Sequence, residues 1–282
     1  MKPANVSRRT LISLATFMAM TPLFMTAAMA AVVDGSAGKL YIDDGGRGGL
    51  PVVFLHSFAG DTSHWAVQLQ HLRKARRAIA IDLRGHGQSA APRNGDYSVE
   101  SLANDVETVV NSLGLTRFVL VGHSMGGSTA IAYAASHPDI VAGLVLASAA
   151  GKVSPDQAEK IIAAMNADFD KVYGDYWNKL LTGAKPVVAR HLNEGKAAMK
   201  RDAALAIIKA IFAFDPVPAL VSYPGPKLAI ITPENNTPAD LQNLVDDLPS
   251  KEIDKTSHWL HMDKAEEFNL LLDEFLRALP ES

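Results

Sequence analysis

The sequence predicts an α/β fold with a mainly parallel, doubly wound sheet, and three observations support this prediction. Apolar runs rich in valine, leucine and isoleucine recur along the chain and alternate with amphipathic helical patterns. A short turn carrying one serine, residues 122–127, lies between such a run and a helical pattern. A long helical stretch, residues 151–224, interrupts the alternation. Alternation of this kind is typical of parallel strands that are covered by helices on both faces.

The predicted elements follow from this alternation. Continuous apolar runs indicate buried strands, and the predicted strands are residues 52–55, 78–81, 118–121, 141–147 and 228–231. Two further strands are expected at the borders of the sheet, an antiparallel edge strand at 39–43 and a short final strand at 251–253. Amphipathic patterns predict helices at residues 63–74, 99–113, 124–136, 239–247 and 263–279.

Residues 1–30 have the features of an export signal: a basic segment, an apolar stretch and a small-residue cleavage site. Arg8 and Arg9 are followed, one residue later, by apolar residues, which resembles the twin-arginine signature. Cleavage at the Ala-Met-Ala of residues 28–30 would leave a chain that begins at Ala31. The sequence therefore predicts an exported protein, periplasmic or secreted. The alternative is an uncleaved membrane anchor over residues 10–33, which are long enough to span a bilayer.

Composition excludes several classes of function. The chain has 27 basic and 30 acidic side chains, and removal of the signal with its three basic residues leaves 24 against 30, a net charge of −6. An acidic chain is not expected to bind nucleic acid, and no stable membrane association is expected once the signal is cleaved. The absence of cysteine excludes disulfides, thiolate metal sites and cysteine nucleophiles. We expect one domain, with a core of residues 31–150 and 225–282 and a helical cap of residues 151–224.

The turn at residues 122–127 reads Gly-His-Ser-Met-Gly-Gly and carries the strongest chemical signal. A serine hydroxyl is a weak nucleophile unless it is held rigidly, near a base and near N–H groups that stabilise an oxyanion. A strand-to-helix turn supplies this arrangement, because glycines at 122 and 126 let the chain reverse sharply. The start of the helix also directs free N–H groups toward the serine. Ser124 is therefore the predicted nucleophile.

Four motifs together resemble the α/β-hydrolase family in their order and spacing: His-Ser-Phe at 56–58, Asp-Leu-Arg-Gly-His-Gly-Gln-Ser at 82–89, the serine turn, and Ser-His-Trp at 257–259. The likeness covers essentially the whole chain after the signal. It implies a serine esterase or related hydrolase, with a helical cap inserted after the sixth strand. It implies neither a cofactor nor a metal.

The resemblance also implies an oxyanion hole made by two backbone N–H groups, those of Phe58 and Met125. Ser57 stands where the family usually has glycine. The segment that begins at Asp82 matches a structural turn of the family, in which Asp82 and Arg84 satisfy backbone groups or one another. His86 in this turn is not expected to be catalytic.

The catalytic base and acid are expected after the cap. His258 lies between the final strand and the last helix, where the family places its base, whereas His261 is interpreted as a loop or packing residue. The two could suggest a metal pair, but no third ligand is evident. The family's usual acid follows the strand at 228–231, and no aspartate is present there. Glu234 is the predicted acid, with Asn235 as the alternative acid position.

The predicted function is hydrolysis of the carboxylic ester of a small molecule through an acyl-enzyme, with an amide or a lactone as less favoured substrates. Serine in the turn argues against the haloalkane dehalogenases and epoxide hydrolases of this fold, which resemble it but use aspartate there. Hydrolysis of a carbon–carbon bond, acyl transfer and perhydrolysis stay open, as does a non-catalytic binding protein. Aromatic and methionine side chains of the cap could line a pocket, although their helical spacing is more typical of a core: Met165, Phe169, Tyr173, Tyr176, Trp177, Met199, Phe212 and Phe214.

Overall fold

The structure is a computed structural model that describes Met1 and residues 29–280. Within these residues one eight-stranded sheet is formed by β1 (Met29–Gly35), β2 (Gly38–Gly45), β3 (Val52–Leu55), β4 (Ala78–Ile81), β5 (Phe118–His123), β6 (Val141–Ala147), β7 (Lys227–Ile231) and β8 (Ser250–Glu252). The strand order is β1-β2-β4-β3-β5-β6-β7-β8. β2 pairs antiparallel with β1 and with β4, and all other neighbours are parallel.

The central strands are apolar along their whole length because both faces of the sheet are covered. Every residue of β3 is buried, and successive side chains point to opposite faces. Val53 and Leu55 join one hydrophobic cluster, whereas Val52 and Phe54 join a second cluster on the other face. The sequence shows continuous apolar runs for this reason, instead of an alternation of apolar and polar residues.

Helices cover both faces of the sheet. They are α1 (Ala66–Leu72), α2 (Val99–Ser112), α3 (Met125–Ser136), α4 (Pro155–Ala167), α5 (Phe169–Leu180), α6 (Pro186–Ala198), α7 (Arg201–Ala213), α8 (Pro216–Ser222), α9 (Leu241–Leu244), α10 (Leu260–Asp263) and α11 (Ala265–Ala278). The five helices α4 to α8 lie between β6 and β7 and are called the insertion helices below. Side-chain caps define the starts of two of them: Ser154 accepts from the N–H of Gln157 at α4, and Asp168 accepts from that of Lys171 at α5.

The predicted fold class, a mainly parallel sheet wrapped by helices, is confirmed. The edge strand β1 was not predicted, because its first residues, Met29 and Ala30, read as the end of the export signal. The helix predicted at 239–247 is limited to α9, since Asp247 has a positive φ of 60° and Pro249 follows. The helix predicted at 263–279 is divided at Lys264 into α10 and α11. The division into a core and a cap stays a prediction.

The predicted export signal lies outside the described residues, except for Met1 and the last two positions. In the described part of the chain, no single helix has both the length and the apolar composition of a membrane span. Arg201–Ala213 and Pro216–Ser222 pass that test only as a pair bent by 57°, by length and composition.

Candidate active site

Ser124 lies at the junction of β5 and α3 with φ 52° and ψ −114°, a conformation that residues with side chains rarely adopt. Close packing of the backbone supports it. A Cβ on Gly122 would lie 2.2 Å from the carbonyl oxygen of Gly126, and a Cβ on Gly126 would lie 2.4 Å from that of Leu55. Both positions therefore require glycine, and the turn holds Ser124 at the carboxyl end of the parallel strands, where open α/β sheets bind ligands.

The backbone N–H groups of Met125 and Phe58 are unpaired within residues 29–280. Met125 is the first residue of α3, so its N–H has no partner inside the helix, while those of Gly127 and Ser128 donate to the Ser124 carbonyl at 2.8 and 3.2 Å. The N–H of Phe58 follows β3 and also donates to no other group. These are the two donors predicted for the oxyanion hole.

The segment before Phe58 is fixed by buried side chains. The Nε2 of His56 accepts from the N–H of Leu83 at 2.9 Å, which leaves Nδ1 protonated to donate to the Ser57 carbonyl at 2.7 Å. Burial lowers the pKa of His56, so the ring is held neutral. The Oγ of Ser57, which replaces the usual glycine, accepts from the indole N–H of Trp259 at 3.1 Å. The oxyanion segment is thereby joined to the residue that follows His258.

His258 lines the same cavity as Ser124. Its loop is held by backbone groups, because its N–H donates to the Leu180 carbonyl at 3.1 Å and its carbonyl accepts from Nε2 of His123 at 2.9 Å. The imidazole nitrogens have no hydrogen-bond partner among the described residues. Desolvation lowers the pKa of His258 to about 4, so the imidazole is neutral and able to accept a proton at pH 7.

Asp263 is a buried carboxylate that sequence reasoning missed. One of its oxygens accepts from the N–H of Ser257 at 2.9 Å and from the Ser257 hydroxyl, and the other accepts from the N–H of Lys185 at 2.8 Å. These bonds fix the loop that carries His258 and tie it to the insertion helices. Its one sequence signal is its place five residues beyond the predicted base, where it also begins the helix predicted at residues 263–279.

No hydrogen bond or ion pair joins the acid turn, residues 232–238, to His258. Glu234 is exposed on a 3₁₀ turn, and neither a hydrogen bond nor an ion pair joins its carboxylate to His258. Asn235 accepts a hydrogen bond from the hydroxyl of Thr232 at 3.2 Å and is likewise separate from the imidazole. The structure thus brings Ser124, His258, Phe58 and Met125 together and leaves both acid positions apart. The assignment of the acid stays a prediction.

The Asp-Leu-Arg-Gly turn has a structural role. Asp82 accepts from the N–H groups of Thr62 at 2.7 Å and Gln88 at 2.8 Å. Arg84 makes a buried two-bond pair with Asp105, at 2.6 and 2.7 Å, instead of pairing with Asp82. Both side chains fix loops that border the site.

Two other histidines near the site are buried packing residues. His86 donates from Nδ1 to the Arg84 carbonyl, 3.0 Å away, and burial lowers its pKa to about 3. His261 stacks on Trp65 with ring centroids 4.1 Å apart, and burial lowers its pKa well below the usual value. Among the described residues, no group of three or more side chains is arranged to hold a metal ion.

A cavity of about 420 Å³ opens above Ser124 and His258, under the insertion helices. Four of the eight aromatic and methionine side chains considered from the sequence line it, and the other four do not. Helical spacing could not separate these two sets, because all eight lie on helices or helix ends. The apolar lining comprises mainly Ala150, Val153, Ile161, Met165, Val172, Tyr176, Trp177, Leu180, Ile208, Ile211 and Phe212.

Residues 51–187 match the sequence model of the family described as alpha/beta hydrolase fold. One relative is the dihydrolipoyllysine-residue acetyltransferase component of the acetoin cleaving system of Pseudomonas putida, 37% identical over 43% of this chain and 34% of the relative. Epoxide hydrolase 3 of Xenopus tropicalis is 38% identical over 39% of this chain and 30% of its own. The match therefore spans about a third of these relatives. A solved structure of Est816, titled an N-acyl homoserine lactone degrading enzyme, is 27% identical, has a TM-score of 0.76, and covers 87% of this chain and 100% of that one.

Proposed function

Because the chain belongs to the α/β-hydrolase fold family, we propose that it is a serine hydrolase that cleaves a carboxylic ester through an acyl-enzyme on Ser124. One observation carries the proposal. Ser124 sits in a strained conformation, φ 52°, that only a tightly packed turn sustains, and it shares one cavity with His258 and Phe58. The N–H groups of Phe58 and of Met125, the residue after Ser124, are unpaired within residues 29–280. Strain of this kind, stored beside a base and an oxyanion hole, is typical of a nucleophile.

The proposed reaction has two steps. His258 removes the proton of the Ser124 hydroxyl as its oxygen attacks the ester carbonyl, and it then returns the proton to the alcohol that leaves. The N–H groups of Phe58 and Met125 stabilise the oxyanion of the tetrahedral intermediate. Water, deprotonated by His258, then attacks the acyl-enzyme, releases the carboxylic acid and regenerates Ser124.

Glu234 is the proposed acid of this mechanism on the condition that the acid turn moves onto His258 during catalysis, since Glu234 is the carboxylate of the turn where the family places one. Glu234 is exposed, whereas Ser124 and His258 line one cavity, so the geometry supports the nucleophile and the base more strongly than the acid. We therefore separate the two proposals: nucleophile, base and oxyanion hole do not depend on the identity of the acid.

The ester class is supported by the cavity and by one relative. A cavity lined mainly by apolar side chains suits an ester that has an apolar acyl or alcohol part. Est816 is described as degrading N-acyl homoserine lactones, and a lactone is a cyclic ester. Both points favour ester cleavage over the other reactions open to the same residues.

A fluorophosphonate probe tests the proposal. We expect covalent labelling of Ser124 in the wild-type protein, no labelling of the Ser124→Ala variant, and hydrolysis of nitrophenyl esters by the wild type alone. Absence of labelling in a folded wild-type protein would refute the proposal, and labelling without hydrolysis of any ester would favour another reaction of the acyl-enzyme.

We also propose that the chain is exported by the twin-arginine route. Replacement of both arginines by lysine, Arg8→Lys and Arg9→Lys, is expected to retain the protein inside the cell, as measured by fractionation and immunoblotting. β1 begins at Met29 and pairs with β2, so cleavage after Ala30 would leave residues 31–35 of this strand in place. An unchanged distribution of the double variant would contradict this route.

A further inference from the structure

Beyond the catalytic cavity, a second groove lies between α4 and α7, with a volume of about 450 Å³. Val153 and Phe212 line both spaces, so together they form a partition between the end of the catalytic cavity and the groove. The groove continues with apolar side chains, among them Ala158 and Ile162, and is also lined by the exposed Glu159 and Lys209. An apolar route therefore runs from Ser124 through the insertion helices, interrupted by two side chains.

The charged side chains of the catalytic cavity favour an uncharged occupant there. Two charged side chains line the catalytic cavity, and both are engaged within the described residues. Lys152 pairs with Asp215, and the carboxylate of Asp240 accepts from the N–H of Thr237 at 2.9 Å and from its hydroxyl at 2.7 Å. A substrate carboxylate in the catalytic cavity would therefore lose its hydration without gaining an unpaired cation. An alkyl chain meets no such cost.

We propose that the cavity and the groove form a subsite for the alkyl chain of an uncharged ester, and that Phe212 with Val153 sets the length of chain that is accepted. The inference rests on the proposed ester hydrolysis at Ser124. Each methylene buried in an apolar site contributes a factor of about four to binding, so kcat/KM should rise with chain length until the chain reaches the partition. Beyond that length, further methylenes should give no increase.

The test is a series of nitrophenyl esters from acetate to palmitate, with kcat/KM measured for the wild type and three variants. Phe212→Ala opens the partition and Phe212→Trp narrows it. Phe214→Ala is the matched control, because Phe214 lies two residues further on and lines neither space. We expect the ratio of laurate to hexanoate hydrolysis to rise at least tenfold in Phe212→Ala and to fall in Phe212→Trp. In Phe214→Ala, hydrolysis of every ester in the series should stay within about threefold of the wild type.

Two further measurements keep the result interpretable. Thermal unfolding of each variant shows whether it is folded. Binding of n-alkanols of increasing length to the Ser124→Ala protein, with and without Phe212→Ala, reports on the subsite without requiring turnover. If the proposed function is wrong but the subsite exists, the protein will show neither hydrolysis nor fluorophosphonate labelling. Phe212→Ala will then still increase the length of the longest n-alkanol that binds. An unchanged length preference in folded Phe212 variants, or an equal change in Phe214→Ala, would overturn the subsite.

Discussion

The nucleophile turn at residues 122–127 and the acid turn at residues 232–238 belong to the same expected triad, yet they are built in opposite ways. Backbone atoms surround the first so closely that Gly122 and Gly126 have no room for a side chain. The second is mostly exposed, and its Glu234 contacts no catalytic side chain. The difference indicates that nearby residues determine the position of the nucleophile, because packed backbone holds it. The role of an exposed acid depends instead on where its turn lies relative to His258.

The largest effect is expected at the nucleophile turn itself. Ser124→Ala should lower kcat by about 10⁶-fold, because the attacking oxygen is removed. Ser124→Gly should be equally inactive but more stable than Ser124→Ala by about 1 kcal/mol, since glycine adopts a positive φ without strain. Ester hydrolysis and thermal unfolding of the two variants measure both effects. Equal stability of the two would contradict the claim that the turn is strained.

A smaller effect is expected at the bond between the oxyanion segment and the base loop. Ser57→Gly restores the family's usual residue but leaves the buried indole N–H of Trp259 without an acceptor, which costs about 1 to 3 kcal/mol. Because the same bond positions the segment that ends in the Phe58 donor, kcat should fall about tenfold. Trp259→Phe should have a similar effect, and the double variant should be no worse than either single one.

Tyr223→Phe is the control for this pair. It removes a buried hydrogen bond of 2.8 Å to the Val141 carbonyl, at the other end of β6 from the site. We expect it to lower stability without lowering kcat. If Ser57→Gly behaves in the same way, the bond is structural only, and the two loops are positioned independently of each other.

The sequence predicts the features that depend on nearby residues, and it does not predict the contacts between distant ones. The parallel sheet was predictable because both of its faces are buried, and the places of Ser124 and His258 because strand ends and glycine turns carry local signals. The hydrogen bond from the Trp259 indole to the Ser57 hydroxyl joins residues 202 positions apart, and neither residue type indicates this partner in the sequence. Asp263 is comparable, since its role arises from contacts with a loop and with the insertion helices.

The pH dependence of hydrolysis tests whether any carboxylate reaches His258. Burial lowers the pKa of His258 to about 4 from a usual 6.5, so the neutral base is available above about pH 4, and kcat/KM should fall only as the pH drops through that value. The same shift links to stability. Below pH 6.5 the unfolded chain binds more protons, so the contribution of His258 to stability is present above pH 6.5 and is lost as the pH falls toward 4.

A profile of kcat/KM against pH, with thermal unfolding over the same range, provides the measurement. Loss of kcat/KM near pH 4, at a pH where the protein is still folded, would support His258 as a base that has no charged partner. A fall in kcat/KM near pH 6.5 or above would mean that a carboxylate raises the pKa of His258 in the working enzyme, which would remove the contrast between the two turns.

The smallest effect is expected at the acid turn. Glu234→Gln should change kcat by less than about threefold if the turn stays where the structure has it, because the side chain is exposed and contacts no catalytic group. A true triad acid contributes about 10⁴-fold when aspartate is compared with asparagine, so the two outcomes are well separated. Asn235→Asp is the matched variant, since an aspartate there can still accept from the hydroxyl of Thr232.

A hundredfold loss in Glu234→Gln would mean that the turn moves onto His258 during catalysis, and the acidic fall of the pH profile should then shift in the same variant. A gain in Asn235→Asp, with Glu234→Gln unchanged, would assign the acid position to residue 235 and make its asparagine the reason for weak activation. If neither variant changes the rate, Ser124 is activated by His258 alone, positioned by the backbone bonds to Leu180 and His123.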